Sequence, residues 1–214
     1  MLEGLGIAVP RTIIIYKGFD MKNRFVVSDW HFGHTNCWAK FKNADGSPLR
    51  PFSSTEAMNE TLVEKHNAKV KPNDTVYMLG DVVINRKFLS YVKRLNGKLR
   101  LVRGNHDIFN DKDYYEAGFE QIHGVRVFTD KFILSHIPLH PDCVTDRFRS
   151  CIHGHLHSNR VRLPDGSIDP KYYCVSVEHT NYEPLSFEEV EQRLQDQWKE
   201  LNYTPPTGSG WGNN

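Results

Sequence analysis

Short apolar runs alternate with amphipathic stretches along most of this chain. Phe25-Val26-Val27-Ser28, Thr75 to Leu79 and Leu99 to Val102 have the length and composition of buried strands. The stretches between them have helical spacing. Ser53-Ser54-Thr55-Glu56 reads as a capping box, in which the Ser53 hydroxyl and the Glu56 carboxylate satisfy free amides at a helix start. Ala57, Leu62, Val63 and Val70 follow as its apolar positions, and Lys71-Pro72-Asn73-Asp74 ends it. Phe88, Leu89, Val92 and Leu95 predict a helix over 86–95, stopped by Asn96-Gly97. Val125 to Phe128 and Phe132 to Leu134 flank Thr129-Asp130-Lys131 and predict a hairpin. Cys151-Ile152 and Tyr172 to Val177 predict two more strands, joined as a second hairpin through a turn at Pro164-Asp165-Gly166. Ser186 and Glu189 form another capping box and open a helix to about Leu201, whose charged run from Glu188 to Lys199 is its wet face. Strands and helices in alternation indicate an α/β chain.

A length of 214 residues fits one domain. Its core is taken to span 21–203. Residues 1–20 read as an extension: Ile13-Ile14-Ile15 is too short for a signal sequence and lacks a small-residue cleavage site, whereas Met21 stands just ahead of the first clear strand. Residues 204–214, rich in Pro, Gly, Ser and Asn, are expected to be a disordered tail. No apolar run approaches the ~20 residues needed to span a bilayer, so no membrane partner is expected. Hydrophobic residues at 39% and charged residues at 25% suit a globular core. With 27 Lys plus Arg against 26 Asp plus Glu, the net charge of +1 gives no global reason to expect nucleic acid as a partner. Cys37, Cys143, Cys151 and Cys174 form no CxxC pair and read as reduced thiols of a cytoplasmic protein.

The chemistry lies in five polar segments, most of them directly behind an apolar run: Asp29-Trp30-His31, Gly80-Asp81, Gly104-Asn105-His106-Asp107, Ser135-His136 and His153-Gly154-His155-Leu156-His157. A ligand at a strand end sits on the rim of a sheet, and five such ends can converge. Asp29 and His31 can reach one ion together. The carboxylate of Asp81 can bridge two ions, one per oxygen. In His155-Leu156-His157 an extended chain would point both rings the same way. Nitrogen and oxygen donors without thiolate argue against a structural zinc site and suit Mn, Fe, Zn or similar ions with positions open for water. Two such ions about 3.5–4 Å apart generate a bridging hydroxide and clamp an in-line displacement at phosphorus.

The ordered pattern Asp-x-His, Gly-Asp, Gly-Asn-His-Asp, His, Gly-His-x-His resembles the calcineurin-like metallophosphoesterases. The resemblance covers Asp29 to His157, or Phe25 to Phe187 with the flanking strands and the last helix. It implies a four-layer αββα sandwich, two mixed sheets packed face to face with helices outside. It places Asp29, His31 and His157 on one divalent metal ion and Asn105, His136 and His155 on another, with Asp81 bridging. Manganese is the expected ion, with Fe, Zn, Ni, Co or Mg as alternatives. The resemblance also implies that His106 contacts the phosphate and protonates the leaving oxygen, held by Asp107. A free nitrogen beside a carboxylate suits a general acid.

The segment Gly80-Asp81-Val82-Val83-Ile84-Asn85-Arg86 is one residue out of step with the serine/threonine phosphatase pattern Gly-Asp-x-Val-Asp-Arg-Gly, which argues against a phosphoprotein phosphatase. Phe32-Gly33-His34-Thr35-Asn36 resembles a bacterial and phage branch of small phosphoesterases, which implies that His34 and Asn36, together with Arg103, line the substrate pocket. His153 is weighed as a residue that orients a ligand. Trp30, Phe32 and Trp38 are taken as core, and His66, His123, His140 and His179 as solvated or capping histidines. The expected activity is hydrolysis of small phosphodiesters or phosphomonoesters, nucleotides among them, by a metal-bridging hydroxide. A nuclease and a non-catalytic scaffold of the same fold are the alternatives. A homodimer is common among small members of the family, and the sequence leaves oligomeric state open.

Overall fold

The computed structural model describes residues 21–129, 131–144 and 148–206. The extension 1–20, Asp130 of the predicted hairpin turn and the tail from 207 onward lie outside them. The first sheet has the order β4-β3-β2-β1-β9, built from β1 (Arg24–Val27), β2 (Thr75–Met78), β3 (Lys98–Val102), β4 (Phe119–His123) and β9 (Leu185–Ser186). Strands β1 to β4 are parallel and β9 runs antiparallel to β1. The second sheet has the order β5-β6-β7-β8, from β5 (Arg126–Phe128), β6 (Phe132–Leu134), β7 (Ser150–His153) and β8 (Tyr172–Cys174). Both sheets are therefore mixed.

Side-chain alternation along the strands sorts the core. Phe25, Val27, Val76, Met78, Leu99 and Leu101 face one way and pack on Met58, Leu62, Val63 and Leu89 from the helical layer. Val26, Tyr77, Leu79 and Val102 face the other way and meet Phe132, Leu134, Ile152, Tyr173 and Val175 between the two sheets. The fold is thus an α/β sandwich of two mixed sheets with helices.

Helix α1 (Asn36–Ala39) is one turn, and α2 (Thr55–Lys69) is the main crossover between β1 and β2. Its cap is Ser54, one residue later than the sequence suggests: Ser54 is extended and its hydroxyl accepts from the Ala57 amide at 3.0 Å. Glu56 then lies in the first turn, where the helix dipole favours a negative charge. Met58, Leu62 and His66, at a spacing of four, face the core.

The predicted helix over 86–95 is broken. A 3-10 turn over Arg86–Phe88, capped by the Asn85 side chain, leads into a single turn α3 (Leu89–Val92). The amides of Arg94 and Leu95 reach back only three residues, to Tyr91 and Val92, which tightens the end. The second predicted hairpin is also corrected. Strands β7 and β8 are parallel, so no hairpin can join them. The turn at Pro164-Asp165-Gly166 closes a small local ladder, Arg162 opposite Ile168, within the crossover. The hairpin β5–β6 is antiparallel, with Arg126 opposite Leu134. Helix α4 (Asp111–Ala117) and edge strand β4 have no clear sequence signature, since α4 buries only Tyr114 and Ala117. Helix α5 (Phe187–Glu200) has its full capping box, with Ser186 and Glu189 each accepting from the other's amide, and it adds Phe187, Val190, Leu194 and Trp198 to the inter-sheet core. All four cysteines are unpaired. Among the described residues no helix is long and apolar enough to cross a membrane.

Candidate metal centre

The carboxyl ends of β1, β2, β3, β6 and β7 lead into the five polar segments, so both sheets deliver side chains to one rim. The sheets meet there: the Ser28 amide donates to Val175 and the Val177 amide to Ser28, joining the end of β1 to the end of β8. The chain turns sharply as it leaves each strand. Asp29, His31, Asp81, His155 and His157 all have positive φ, between 49° and 68°, a region that side chains with a Cβ rarely enter. Such strain persists only where the surroundings over-determine it. Gly154 shows how tightly they do so, because a Cβ there would collide with the Ser28 side chain and the Asp29 carboxylate.

These turns assemble two groups of donors. Asp29, His31 and His157 form one, and Asp81, His136 and His155 the other, each with its donor atoms within 4.8 Å of one another. Asp81 joins the groups. Its Oδ2 is 3.6 Å from His31 Nε2 and 3.4 Å from His136 Nε2, and its Oδ1 accepts the His106 amide at 2.9 Å. Asn105 Oδ1 lies 2.9 Å from His136 Nε2. The expectation that an extended His155-Leu156-His157 would present both rings to one place does not hold: the segment is a turn, and its two rings serve different groups.

The donor set fits divalent ions. Asp29 Oδ1 and both ring nitrogens of His31 are buried and have no hydrogen-bond partner. Buried polar atoms in proteins are almost always paired, so the unpartnered Asp29 Oδ1 and His31 Nε2, 3.8 Å apart, mark a place for a cation. The Nδ1–H of His136 donates to the Leu79 carbonyl at 2.7 Å, which leaves Nε2 of the neutral ring as an acceptor facing the acceptor Oδ1 of Asn105. A proton or a cation must reconcile them. Burial pushes the Asp29 carboxyl above its ordinary range, and burial together with the Arg50 charge holds His31 neutral well below its own. A neutral imidazole is the form that binds metal. Burial opposes the charged form of His136, but the Asp81 carboxylate outweighs it and raises the ring's pKa.

The remaining sequence-predicted residues divide. His106 is about half exposed, with Nε2 4.0 Å from Asp81 Oδ2 and its ring 5.5 Å from that of His31. Asp107 does not hold the His106 ring. Its buried carboxylate accepts from the backbone amides of Asp81, Val82 and Gly104 and braces the loops that carry the donors. His34 is beside the site, its ring 5.3 Å from His31. Asn36 begins α1, half-buried. Arg103 is turned to its own loop, where its guanidinium donates to the carbonyls of Asp107 and Phe109 and to the Asp111 carboxylate. These carbonyls lie beyond the Asn105-His106 turn, so Arg103 shapes that turn rather than offering a free charge. His153 is buried and bonds the Gly154 carbonyl, not a donor side chain. His66 is buried rather than solvated, with Nε2 donating to the Asn96 carbonyl.

Sequence reasoning missed Arg50 and Glu178. Both are buried, Arg50 completely. The Glu178 carboxylate accepts from Arg50 Nε at 2.8 Å and from His157 Nδ1 at 3.1 Å. Burial pushes the Glu178 carboxyl up, but Arg50 and His157 hold it down at about 2. No spacing in the sequence links positions 128 residues apart.

Comparison with known proteins agrees with this geometry. The calcineurin-like phosphoesterase superfamily domain matches residues 23–168. An uncharacterized protein of Methanocaldococcus jannaschii is 34% identical over 174 residues, covering 78% of this chain and 89% of its own. The crystal structure of a protein of unknown function from Aquifex aeolicus superposes with a TM-score of 0.59 at 27% identity, over 79% of this chain and 98% of that one. A nuclease of Pseudomonas putida shares 18% identity over 63% of this chain and 62% of its own, with a TM-score of 0.41, too loose a likeness to bear on substrate.

Proposed function

The chain belongs to the calcineurin-like phosphoesterase superfamily, and we propose that it is a phosphoesterase dependent on two divalent metal ions that hydrolyses small phosphodiesters or phosphomonoesters. The observation that carries this reading is the position of Asp81 Oδ2 between the imidazoles of His31 and His136, with buried unpartnered donors beside it. Asp29, His31 and His157 would hold one ion, Asn105, His136 and His155 the other, and Asp81 both. Manganese suits this nitrogen and oxygen set, as do iron, zinc, nickel, cobalt and, through the oxygens, magnesium. Bound ions would supply an acidified water as nucleophile and positive charge against the phosphoryl oxygens.

The protein's own residues do the rest. His106 lies at the exposed side of the cage, where a phosphoester would enter, and its ring would donate a proton to the departing oxygen. The His106 amide and the Asp107 carboxylate lock the two loops together, so that the ring keeps its place relative to Asp81. His34, next to His31 and near the entrance, would contact the ester.

The test is hydrolysis of bis-p-nitrophenyl phosphate with added Mn²⁺, in the wild type and in His106→Ala. The variant is expected to keep its metal and lose roughly 10²–10⁴ in rate, the usual contribution of a positioned acid. Loss of metal from His106→Ala would overturn its assignment as the acid. Inactivity of the wild type with Mn, Ni, Co, Fe and Zn across monoesters and diesters would overturn the function.

A further inference from the structure

The two halves of the cage are supported differently. On the Asp81 side, the nitrogen of His136 turned away from the cluster rests on a neutral backbone carbonyl, that of Leu79. On the Asp29 side stands a buried charged pair, Arg50 with Glu178, that has no counterpart on the Asp81 side among the described residues. Arg50 sends Nη2 to the Asp29 carbonyl at 2.6 Å, Nη1 to the Trp30 carbonyl at 2.9 Å and Nε to Glu178, which bonds His157 Nδ1. One guanidinium thus ties together the backbone of the left-handed turn 29–31 and, through Glu178, the ring of His157. The pair bonds the Asp29 backbone and the His157 ring directly and bears on His31 only through the Trp30 carbonyl before it, and among the described residues it makes no hydrogen bond to Asp81, Asn105, His136 or His155.

Stability alone is a poor reason for the arrangement. A fully buried ion pair loses its hydration, and replacement by apolar residues of similar volume is often neutral or stabilising. What the pair supplies is orientation. With its Nδ1–H donated to the Glu178 carboxylate, the His157 ring keeps its lone pair on Nε2 and becomes more basic toward a metal.

We propose that Glu178, locked by Arg50, is a positioning residue that strengthens ion binding in the Asp29–His31–His157 half of the centre and leaves the Asp81–His136–His155 half untouched, so that the two ions bind with unequal affinity. The proposal rests on the dinuclear reading above. It deepens that reading by assigning a cause to inequality between the sites.

The experiment is calorimetric titration of the metal-stripped full chain with Mn²⁺. The wild type is expected to bind two ions. His155→Ala disables one half and reports on the ion held by Asp29, His31 and His157. His157→Ala does the converse. Adding Glu178→Ala to His155→Ala should weaken the retained ion about 10- to 100-fold, the range usual for loss of an outer hydrogen-bond partner. Adding it to His157→Ala should leave the retained ion within about twofold. Glu178→Gln, whose amide oxygen still accepts from Nδ1–H, should show a smaller loss than Glu178→Ala in the first background. It carries the same comparison if the alanine variant does not fold. Equal weakening in both backgrounds, or none in either, overturns the proposal and leaves the metal centre standing. A wild type that binds no ion removes the centre and the proposal with it.

Discussion

One methyl group at Gly154 would test how closely the site is built. A Cβ there falls on the Ser28 side chain and the Asp29 carboxylate, whose Oδ2 accepts from the His155 amide at 2.9 Å and from the Ser176 hydroxyl at 2.7 Å. Gly154→Ala must push the His155 turn away from Asp29, and overpacking of this kind typically costs about 1–3 kcal/mol. We expect a lower melting temperature in the presence of chelator and weaker Mn²⁺ binding, measured by calorimetry. A variant that melts and binds like the wild type would show that the turn has slack. The same closeness explains the left-handed residues. Asp29, His31, Asp81 and His155 accept strained backbone because neighbours pin it: Arg50 donates to the Asp29 carbonyl, the His31 amide donates to the Asp81 carbonyl, and the amides of Asp81 and His155 donate to the carboxylates of Asp107 and Asp29.

Helix α2 carries a titration unrelated to the metal centre. His66, on its buried face, donates Nε2–H to the Asn96 carbonyl at 2.8 Å and lies 5.7 Å from the Trp30 ring. Burial depresses its pKa from 6.5 to about 4, although the Asn96 carbonyl pulls the other way. The folded state therefore keeps the ring neutral while the unfolded chain takes up a proton near its ordinary value. This contribution is present above pH 6.5 and is lost as pH falls toward 4, by up to about 3 kcal/mol. His66→Gln retains a donor for the Asn96 carbonyl and has nothing to protonate. The pH dependence of melting between 6.5 and 4.5, measured in chelator, should be shallower in the variant than in the wild type. Parallel curves would remove His66 as a source of acid sensitivity. Most strands were easier to anticipate than the helices because they are short, nearly uninterrupted apolar runs; the edge strand β4 and the two-residue β9 are the exceptions. α2 and α5 were found by their serine caps. α3 was misjudged because a one-turn element holds too few residues to show a period, and α4, seven residues long, was missed because it buries only two side chains.

The metal centre spans both sheets. Asp29, His31, Asp81 and Asn105 follow strands of the first, and His136, His155 and His157 follow strands of the second. Ions bound there would fasten one sheet to the other, and binding to the folded state alone stabilises it by about 2.7 kcal/mol per site at a free ion concentration one hundred times Kd. Mn²⁺ added to the metal-stripped protein should therefore raise the melting temperature by several degrees, and chelator should reverse the rise, read by differential scanning fluorimetry. An unchanged melting temperature at saturating Mn²⁺ would argue that the donors do not act together. The sequence determined the chain's α/β class, the strand runs and the donors themselves, because apolar periodicity and residue type are local properties. It also placed each donor just past a strand, where a parallel sheet exposes its carboxyl edge. Only the tertiary structure decided that His155 and His157 reach their groups from a turn rather than from an extended run, that Asp107 and Arg103 brace loops, and that Arg50 and Glu178 stand behind one half of the cage. These outcomes depend on left-handed turns and on side-chain contacts between separate loops, as far as the 128 positions between Arg50 and Glu178, which become favourable only when both sheets are already packed.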